Sequence, residues 1–313
     1  MNYLYYYVRH MDEREVCELE MRALFGQSSN APYIITGRCI EPSRSPFIKG
    51  RLAIWIEADT EEHLIERVAS HSFKTDETYK LTCLNEVDFD DEKKWSHTQR
   101  RQIERSVGSA ITAEVDLHNP TVELGVIYLE GTYYFGAVQK GEAVWFHHQQ
   151  KPRMYSTALS SRLARAIVNI AVPHIEAVEK VIDPCCGMGT VLVEALSMGV
   201  PIEGSDVNPL VCDGSRENIA HFGYETSVTL CPIERVEGQY DVAIIDLPYN
   251  LFTHVTDEQL TSILKSAYRI ASRVVFVAIE SVEEQLQQIG FTIVDEAIAR
   301  KAKFERKIIV CER

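Results

Sequence analysis

The spacing of apolar and polar positions changes character part-way along the chain. A Tyr- and Val-rich run over residues 3–8 predicts a strand, and Asp12 with Glu15 reads as a capping box opening a helix that runs to about Phe25, where Gly26 stops it. Residues 32–37 and 51–57 follow as strands, and Thr60 to about Ser70 as a helix. Beyond residue 78 the pattern predicts a short extended piece at Leu81–Asn85, an acidic stretch over 86–92, and a helix over about 96–107. Two strands come next, Thr121–Glu130 and Thr132–Val138, turned by Glu130-Gly131. From residue 157 onward helices and short apolar strands alternate. Helices are expected over Ser160–Ala171, Thr190–Met198, 257–271 and Val282–Ile289. Strands are expected at 180–182, 202–204, 228–230, 240–245, 273–279, 292–298 and 304–311.

Repeated strand–helix units require crossover connections, hence a largely parallel sheet with helices on both faces. Only a few residues separate the last two strands, so they must form an antiparallel hairpin, an ending that separates methyltransferase-type sheets from plain dinucleotide-binding ones. The expected fold class is therefore α/β: a seven-stranded Rossmann-like sheet with an antiparallel C-terminal hairpin, preceded by an α+β region. No repeat or low-complexity linker marks the junction. Gly141 and Lys151-Pro152 place it near residue 150, giving regions 1–150 and 151–313.

Composition narrows the class. With 313 residues, 45% apolar and 25% charged, the chain reads as a globular protein of about two domains. The opening segment lacks a basic n-region and a small-residue cleavage site, and no run of about 18 apolar residues occurs, so neither secretion nor a membrane span is expected. Eight cysteines without a CxxC pair read as reduced thiols in a cytoplasm, with no metal site. The net charge of −14 argues against non-specific nucleic-acid binding and leaves only local basic clusters. These are Lys93, Lys94, Arg100, Arg101 and Arg105; Lys151, Arg153, Arg162 and Arg165; and Arg300, Lys301, Lys303, Arg306 and Lys307.

Two strand ends carry candidate chemistry. In Val181-Ile-Asp-Pro-Cys-Cys-Gly-Met-Gly-Thr190 a strand ends on Asp183, turns through Gly187 and Gly189, and enters a helix at Thr190. Glycines there admit close approach of the backbone to a ligand at the carboxyl end of a parallel strand. The phosphate-cradling pattern is missing, and Asp183 would repel a pyrophosphate while suiting a cation, which also counts against NAD. Asp206, ending the next strand, stands where a carboxylate holds a ribose diol. S-adenosylmethionine satisfies all of this. Farther on, Tyr240–Ile245 runs into Asp246-Leu247-Pro248-Tyr249. An exocyclic amine on a nucleobase is a poor nucleophile, because its lone pair is delocalised into the ring. Asp246 and the Leu247 carbonyl can accept its two hydrogens, Pro248 holds Leu247 extended, and Tyr249 can stack on the base. Cys185 and Cys186 sit in the cofactor loop, which does not suit a nucleophile facing a base. His147-His148 is too isolated to be a metal pair. Trp55, Trp95 and Trp145 read as packing residues, an exposed one being a possible base-stacking platform.

The loop from Asp183 to Thr190 resembles the Asp-Pro-x-Cys-Gly-x-Gly-Thr motif, and Asp246 to Tyr249 the Asp/Asn-Pro-Pro-Tyr/Phe motif, of class I S-adenosylmethionine-dependent amino-methyltransferases. More narrowly the chain resembles the THUMP-bearing RNA methyltransferases, especially those acting on guanine N2 near position 10 of tRNA. Lys151–Leu159 followed by Arg162–Ala166 is similar to the family segment that lines the cofactor pocket, and Val115–Pro120 with the hairpin after it is similar to the end of a THUMP domain. The resemblance implies an N-terminal RNA-binding region and a methyltransferase domain using S-adenosylmethionine. It carries over Ser156, Thr157, Leu159, Asp183, Cys185, Gly187, Gly189, Thr190, Asp206, Val207 and Asp246 to the cofactor, and Asp246, Leu247, Pro248 and Tyr249 to the acceptor. RNA, tRNA first, is the implied partner, in some relatives with a small activating protein. The chain departs from the family at Leu247, where Pro is usual and a looser turn is expected. It departs again after the third strand, where Cys231 and Pro232 replace an expected adenine-side acid. Two other readings stay open: another planar NH2 acceptor, adenine N6 or a protein glutamine, and a binding protein without turnover. Nothing in 1–150 resembles a DNA-recognition helix, which weighs against DNA.

Overall fold

In a computed structural model the described residues are all except 10, 30, 74–76, 86–94, 156–157, 249–255 and 302–303, and the side chains of 301 and 304 are likewise outside the description. The chain divides into two compact units. One comprises residues 1–8, 29–43 and 47–142, the other 9–28, 44–46 and 143–313.

Helices are numbered from α1 (Arg14–Phe25), which belongs to the second unit. The first unit holds β1 (Tyr3–Tyr7), β2 (Tyr33–Thr36), β3 (Ile48–Ala58), α2 (Glu61–Ser70), β4 (Thr78–Cys83), α3 (His97–Gly108), β5 (Glu114–Val115), β6 (Val122–Leu129) and β7 (Thr132–Lys140). Its sheet has the order β2-β1-β3-β7-β6-β4-β5, antiparallel except where β4 runs parallel to β6 and β5. The β6–β7 turn uses Glu130 and Gly131 at φ 48° and 84°, the paired positive values of a two-residue hairpin. Thr60 caps α2, and Ser96 and Gln99 form a capping box on α3. The apolar stripes of both helices, Leu64 and Val68, Ile103 and Val107, pack with Ile56, Leu124, Val126 and Phe135 of the sheet. Trp55 stacks on His71 at 5.2 Å and Trp95 lies 5.9 Å from Tyr128, so both pack inside the unit.

The second unit adds α4 (Val144–His147), α5 (Ser161–Ala171), β8 (Val181–Asp183), α6 (Thr190–Ser197), β9 (Ile202–Asp206), α7 (Pro209–His221), β10 (Val228–Leu230), β11 (Tyr240–Asp246), α8 (Asp257–Ile270), β12 (Ala271–Ala278), α9 (Glu283–Ile289), β13 (Thr292–Lys301) and β14 (Phe304–Glu312). The sheet order is β10-β9-β8-β11-β12-β14-β13. Its first five strands are parallel, and β14 runs antiparallel to both neighbours. This is the seven-stranded α/β sheet with a C-terminal hairpin that the sequence pattern predicts. Alternation along the strands sends Ile245, Phe276 and Ile309 to the face covered by α8 and α9, where Leu264, Ala267 and Leu286 complete a core. The opposite face is covered by α5, which touches β11, β12 and β14.

Two features depart from the expected organisation. Helix α1 packs on α5 and β13 of the second unit, whereas the sequence reading assigns it to the region before residue 150. Its side chains explain why: Arg22 forms a two-pronged bond to Asp295 at 2.8 Å per contact, and Glu15 accepts from the Ile298 amide at 3.1 Å and pairs with Arg300. Helix α7 is the second. Asn208 caps it and Pro209 opens it, but its buried face is Cys212, Gly214, Ser215, Asn218 and Ile219, too small and polar to show as an apolar stripe.

Candidate active site

The strand order reverses between β8 and β11, and at such a switch point the crossovers diverge and leave a crevice at the carboxyl ends of the strands. A cavity of about 660 Å³ occupies that crevice. Leu159, Asp183, Cys185, Gly187, Thr190, Asp206, Val207, Asp246, Leu247 and Pro248 all line it. Gly189 does not; it shapes the turn behind the lining. Ser156, Thr157 and Tyr249 lie outside the described residues.

The glycine loop is held by its own backbone. The Cys186 amide donates to the Ser205 carbonyl at 3.0 Å and the Gly189 amide to the Cys186 carbonyl at 2.8 Å. Gly187 and Gly189 have φ of 49° and 74°, and a Cβ on Gly189 would run into the Ser215 hydroxyl of α7. Asp206 steadies the loop from β9: Oδ2 accepts from the Gly187 amide at 3.0 Å and Oδ1 from the Asn208 amide at 2.9 Å. Each oxygen keeps acceptor capacity for a diol. Asp183 is 3% exposed and accepts from the Cys185 amide at 3.1 Å. Burial pushes its carboxyl well above the usual range, and nearby Asp246 and Asp206 add to the effect.

At the end of β11, burial pushes Asp246 up to about 7, partly opposed by the Arg306 guanidinium. Arg306 lies on the same face of the sheet, two positions beyond Ile308 in the row Asp246, Val277, Ile308. Leu247 continues the ladder of β11. Its amide donates to the Val277 carbonyl at 2.9 Å, a bond Pro could not make, and its side chain is buried in the core with Ile245 and Leu264. After β10 ends, Pro232 precedes a single turn at Ile233–Arg235, and Glu234 reaches the cavity wall. The Ser262 hydroxyl holds Glu234 Oε1 at 3.0 Å. An acid is thus present four residues after the strand. Burial and neighbouring carboxylates raise the Cys185 and Cys186 thiols, which rules against nucleophilic thiolates.

Several supporting residues are not evident from the sequence. Asn218 of α7 receives the Arg153 amide at 2.8 Å and donates to the Met188 carbonyl at 2.8 Å, stapling the segment before α5 to the glycine loop. Glu194 of α6 is fully buried between His148 Nδ1 at 2.8 Å and Arg165 Nη1 at 2.9 Å, so His148 is structural. The basic clusters are largely consumed internally. Arg153 pairs with Glu217, Arg162 with Glu13 and lies over Trp145, Arg300 with Glu15 and Glu305, Lys307 with Glu283 and Glu296, and Arg101 with Glu104. Lys93, Lys94 and Lys303 are outside the described residues.

S-adenosylmethionine fits this site on its donor set. Asp183, Asp206, Glu234 and Asp246 line the cavity and, among the described residues, no Lys or Arg does, which favours a cationic ligand and disfavours a polyphosphate. Sheet order and the reversed last strand give the second unit the fold of class I methyltransferase domains, with the glycine loop and the end of β11 facing one cavity. Residues 148–288 match the family described as UPF0020, RMKL-like, methyltransferase domain. The chain is 26% identical over 170 residues to the tRNA (guanine(10)-N2)-dimethyltransferase of Methanothermobacter thermautotrophicus, covering 51% of this chain and 50% of that protein. It is 28% identical over 162 residues to the U6 snRNA (guanine-N(2))-methyltransferase THUMPD2 of Homo sapiens, covering 48% and 31%. The matched part spans about half or less of these relatives. Among solved structures, TrmN from Thermus thermophilus aligns over 100% of both chains at 16% identity with a TM-score of 0.49. Among the described residues no helix is long and apolar enough to cross a membrane.

Proposed function

We propose that this chain transfers a methyl group from S-adenosylmethionine to the exocyclic N2 of a guanine in RNA, with tRNA as the first substrate to test. The observation that carries the reading is that Asp246, Leu247 and Pro248 face the same cavity as the glycine loop and Asp206. The names of the relatives, guanine-N2 enzymes acting on tRNA and U6 snRNA, support the choice of acceptor.

When bound, S-adenosylmethionine supplies a methyl carried on a sulfonium. Asp206 would hold the ribose and Glu234 with Ile233 would flank the base, while the sulfonium would favour ionisation of Asp183, whose carboxyl burial otherwise holds high. Asp246 accepts one N2 hydrogen and the Leu247 carbonyl the other, which orients the nitrogen lone pair along the line of transfer. Methylation would leave N2 with a surplus proton, which would pass to Asp246 or to solvent, while the C–S bonding pair would stay with the departing thioether. Asp246, poised near 7, can take that proton. Tyr249 is assigned to stacking on the base. The first unit is assigned to docking RNA as a THUMP-like region, the setting is cytoplasmic, supported by eight free thiols, and a small activating protein belongs to the same proposal. DNA is not a proposed substrate.

The test is methyl transfer from labelled S-adenosylmethionine into small RNA from a strain lacking the protein, with DNA and protein pools in parallel. N2-methylguanosine in tRNA is expected. Label in N6-methyladenosine or in protein, or no label in any pool with or without cell extract, would refute the assignment.

A further inference from the structure

Asp246 ends β11 half-buried in the cavity wall, and among the described residues it accepts no hydrogen bond and forms no ion pair. The titratable groups around it are acids. Asp183 stands at the end of β8, Asp206 at the end of β9 and Glu234 after β10, with the Cys185 and Cys186 thiols and the Tyr155 phenol in the same wall. Helix α8 contributes Gln259, which carries no charge. The arginines of α5 are turned to other partners, Arg162 to Glu13 and Arg165 to Glu194. Strand β12 sets apolar Val277 beside Asp246.

A cation reaches this corner from β14. Register puts Asp246, Val277 and Ile308 in one row, with Arg306 two positions past Ile308 toward the carboxyl edge of the parallel strands. Alternation keeps Asp246 and Arg306 on the face that α5 covers, opposite Ile245 and Ile309. The flanking residues of β14 are engaged elsewhere: Lys307 pairs with Glu283 of α9 and Glu296 of β13, and Glu305 with Arg300. Two strand spacings and two residue rises set the Cα atoms of Asp246 and Arg306 about 12 Å apart, a gap that their side chains, extended toward each other, close to near contact. The half-buried guanidinium opposes the effect of burial on Asp246 accordingly, and charges act over such distances more strongly away from bulk water.

We infer that Arg306 is a positioning residue for methyl transfer, the counter-charge that keeps Asp246 a carboxylate able to accept from the substrate amine. The inference rests on the role proposed for Asp246. Protonated, Asp246 would present a donor to an amine that is itself a donor, and burial among carboxylates favours that form unless a cation stands by.

The test compares the unaltered protein with Arg306→Gln and Arg306→Lys. For RNA at saturating S-adenosylmethionine, kcat/KM of Arg306→Gln should fall by about 5-fold at pH 7 and return to within about two-fold at pH 9, as the rising limb moves up by about one pH unit. Arg306→Lys should keep the limb in place. A loss that is equal at every pH overturns the inference, by assigning Arg306 to folding or to RNA phosphates. Carbon-13 NMR of aspartate-labelled protein without RNA or cofactor reads the same pairing independently of activity, the Asp246 carboxyl being identified by its absence from Asp246→Asn. Its titration should lie about one pH unit higher in Arg306→Gln than in the unaltered protein. Arg306→Met replaces Arg306→Gln if the latter does not melt cooperatively, and failure of both to fold shows a structural role and overturns the inference. An unmoved titration with Asp246→Asn inactive overturns the inference alone. Full turnover in Asp246→Asn overturns the reading of Asp246 on which it rests.

Discussion

Glu20 offers the most quantitative test of how the second unit is built. It lies on α1, is fully buried, and receives Ser45 Oγ at 2.5 Å and Asn169 Nδ2 at 2.6 Å. Arg44 in turn donates to Asn169 Oδ1 at 2.9 Å, and Arg165 Nε to the Arg44 carbonyl at 2.9 Å. Burial outweighs these bonds and pushes Glu20 up to about 7 from an ordinary 4.5. Below about pH 4.5 the group is protonated folded and unfolded, and its contribution does not vary. Between 4.5 and 7 the unfolded chain releases the proton while the folded chain keeps it, so stability falls as pH rises. At about 1.4 kcal/mol per pH unit the loss is about 3 kcal/mol, complete above pH 7. Glu20→Gln mimics the protonated carboxyl: its amide can donate toward Ser45, its oxygen can accept from Asn169, and it does not titrate. Urea unfolding of both proteins at pH 5 and pH 8 reads the effect as a difference, in which other titrating groups such as Asp183 cancel. The variant should match the unaltered protein within about 1 kcal/mol at pH 5 and exceed it by about 2–3 kcal/mol at pH 8. A difference that does not change with pH, or a variant less stable at pH 8, would refute the reasoning.

Other outcomes follow from the same geometry. Asp246→Ala should abolish methyl transfer while leaving S-adenosylmethionine affinity within a few-fold; retained turnover would remove Asp246 from the mechanism. Because Asp246 works as a carboxylate and is pushed up to about 7, kcat/KM should rise with pH and level off above about 7. Asp246→Asn should lose that limb and on the order of 10²-fold in rate, and an unchanged pH profile would assign the limb elsewhere. Gly189→Ala meets both a φ of 74° and the Ser215 hydroxyl, whereas Gly187→Ala meets only a φ of 49° with open space beyond. Thermal melts and cofactor titration should therefore show the larger loss for Gly189→Ala, and the reverse order would contradict the packing. A fragment beginning at Ala143 lacks the α1 and 44–46 partners of Asn169, Asp295 and Arg300. It should fail to unfold cooperatively by circular dichroism, and a sharp melt with normal cofactor affinity would show those partners to be dispensable.

Much of the catalytic-type unit was legible in the sequence because its determinants are local. A buried parallel strand writes a short apolar run, a cap writes a polar residue before a helix, and a close-approach turn writes glycine. Thus Asp183, the Gly187–Gly189 turn, Asp206 and Asp246 could all be read as strand-end features before their mutual placement was known. Positions whose environment comes from distant segments could not. Lys151 reads as surface charge until Thr190 and the end of α6 enclose it. Glu234 reads as a loop acid until the Pro232 turn brings it to the cavity. Leu247 reads as a weakened motif until the Val277 carbonyl meets its amide. Helix α1 carries an amphipathic period that declares a buried face, but periodicity says nothing about which surface will cover it. The tertiary structure decided that: ion pairs with β13 and the buried Glu20 cluster seat α1 in the second unit, because burying charge is tolerable only where each group finds its partner.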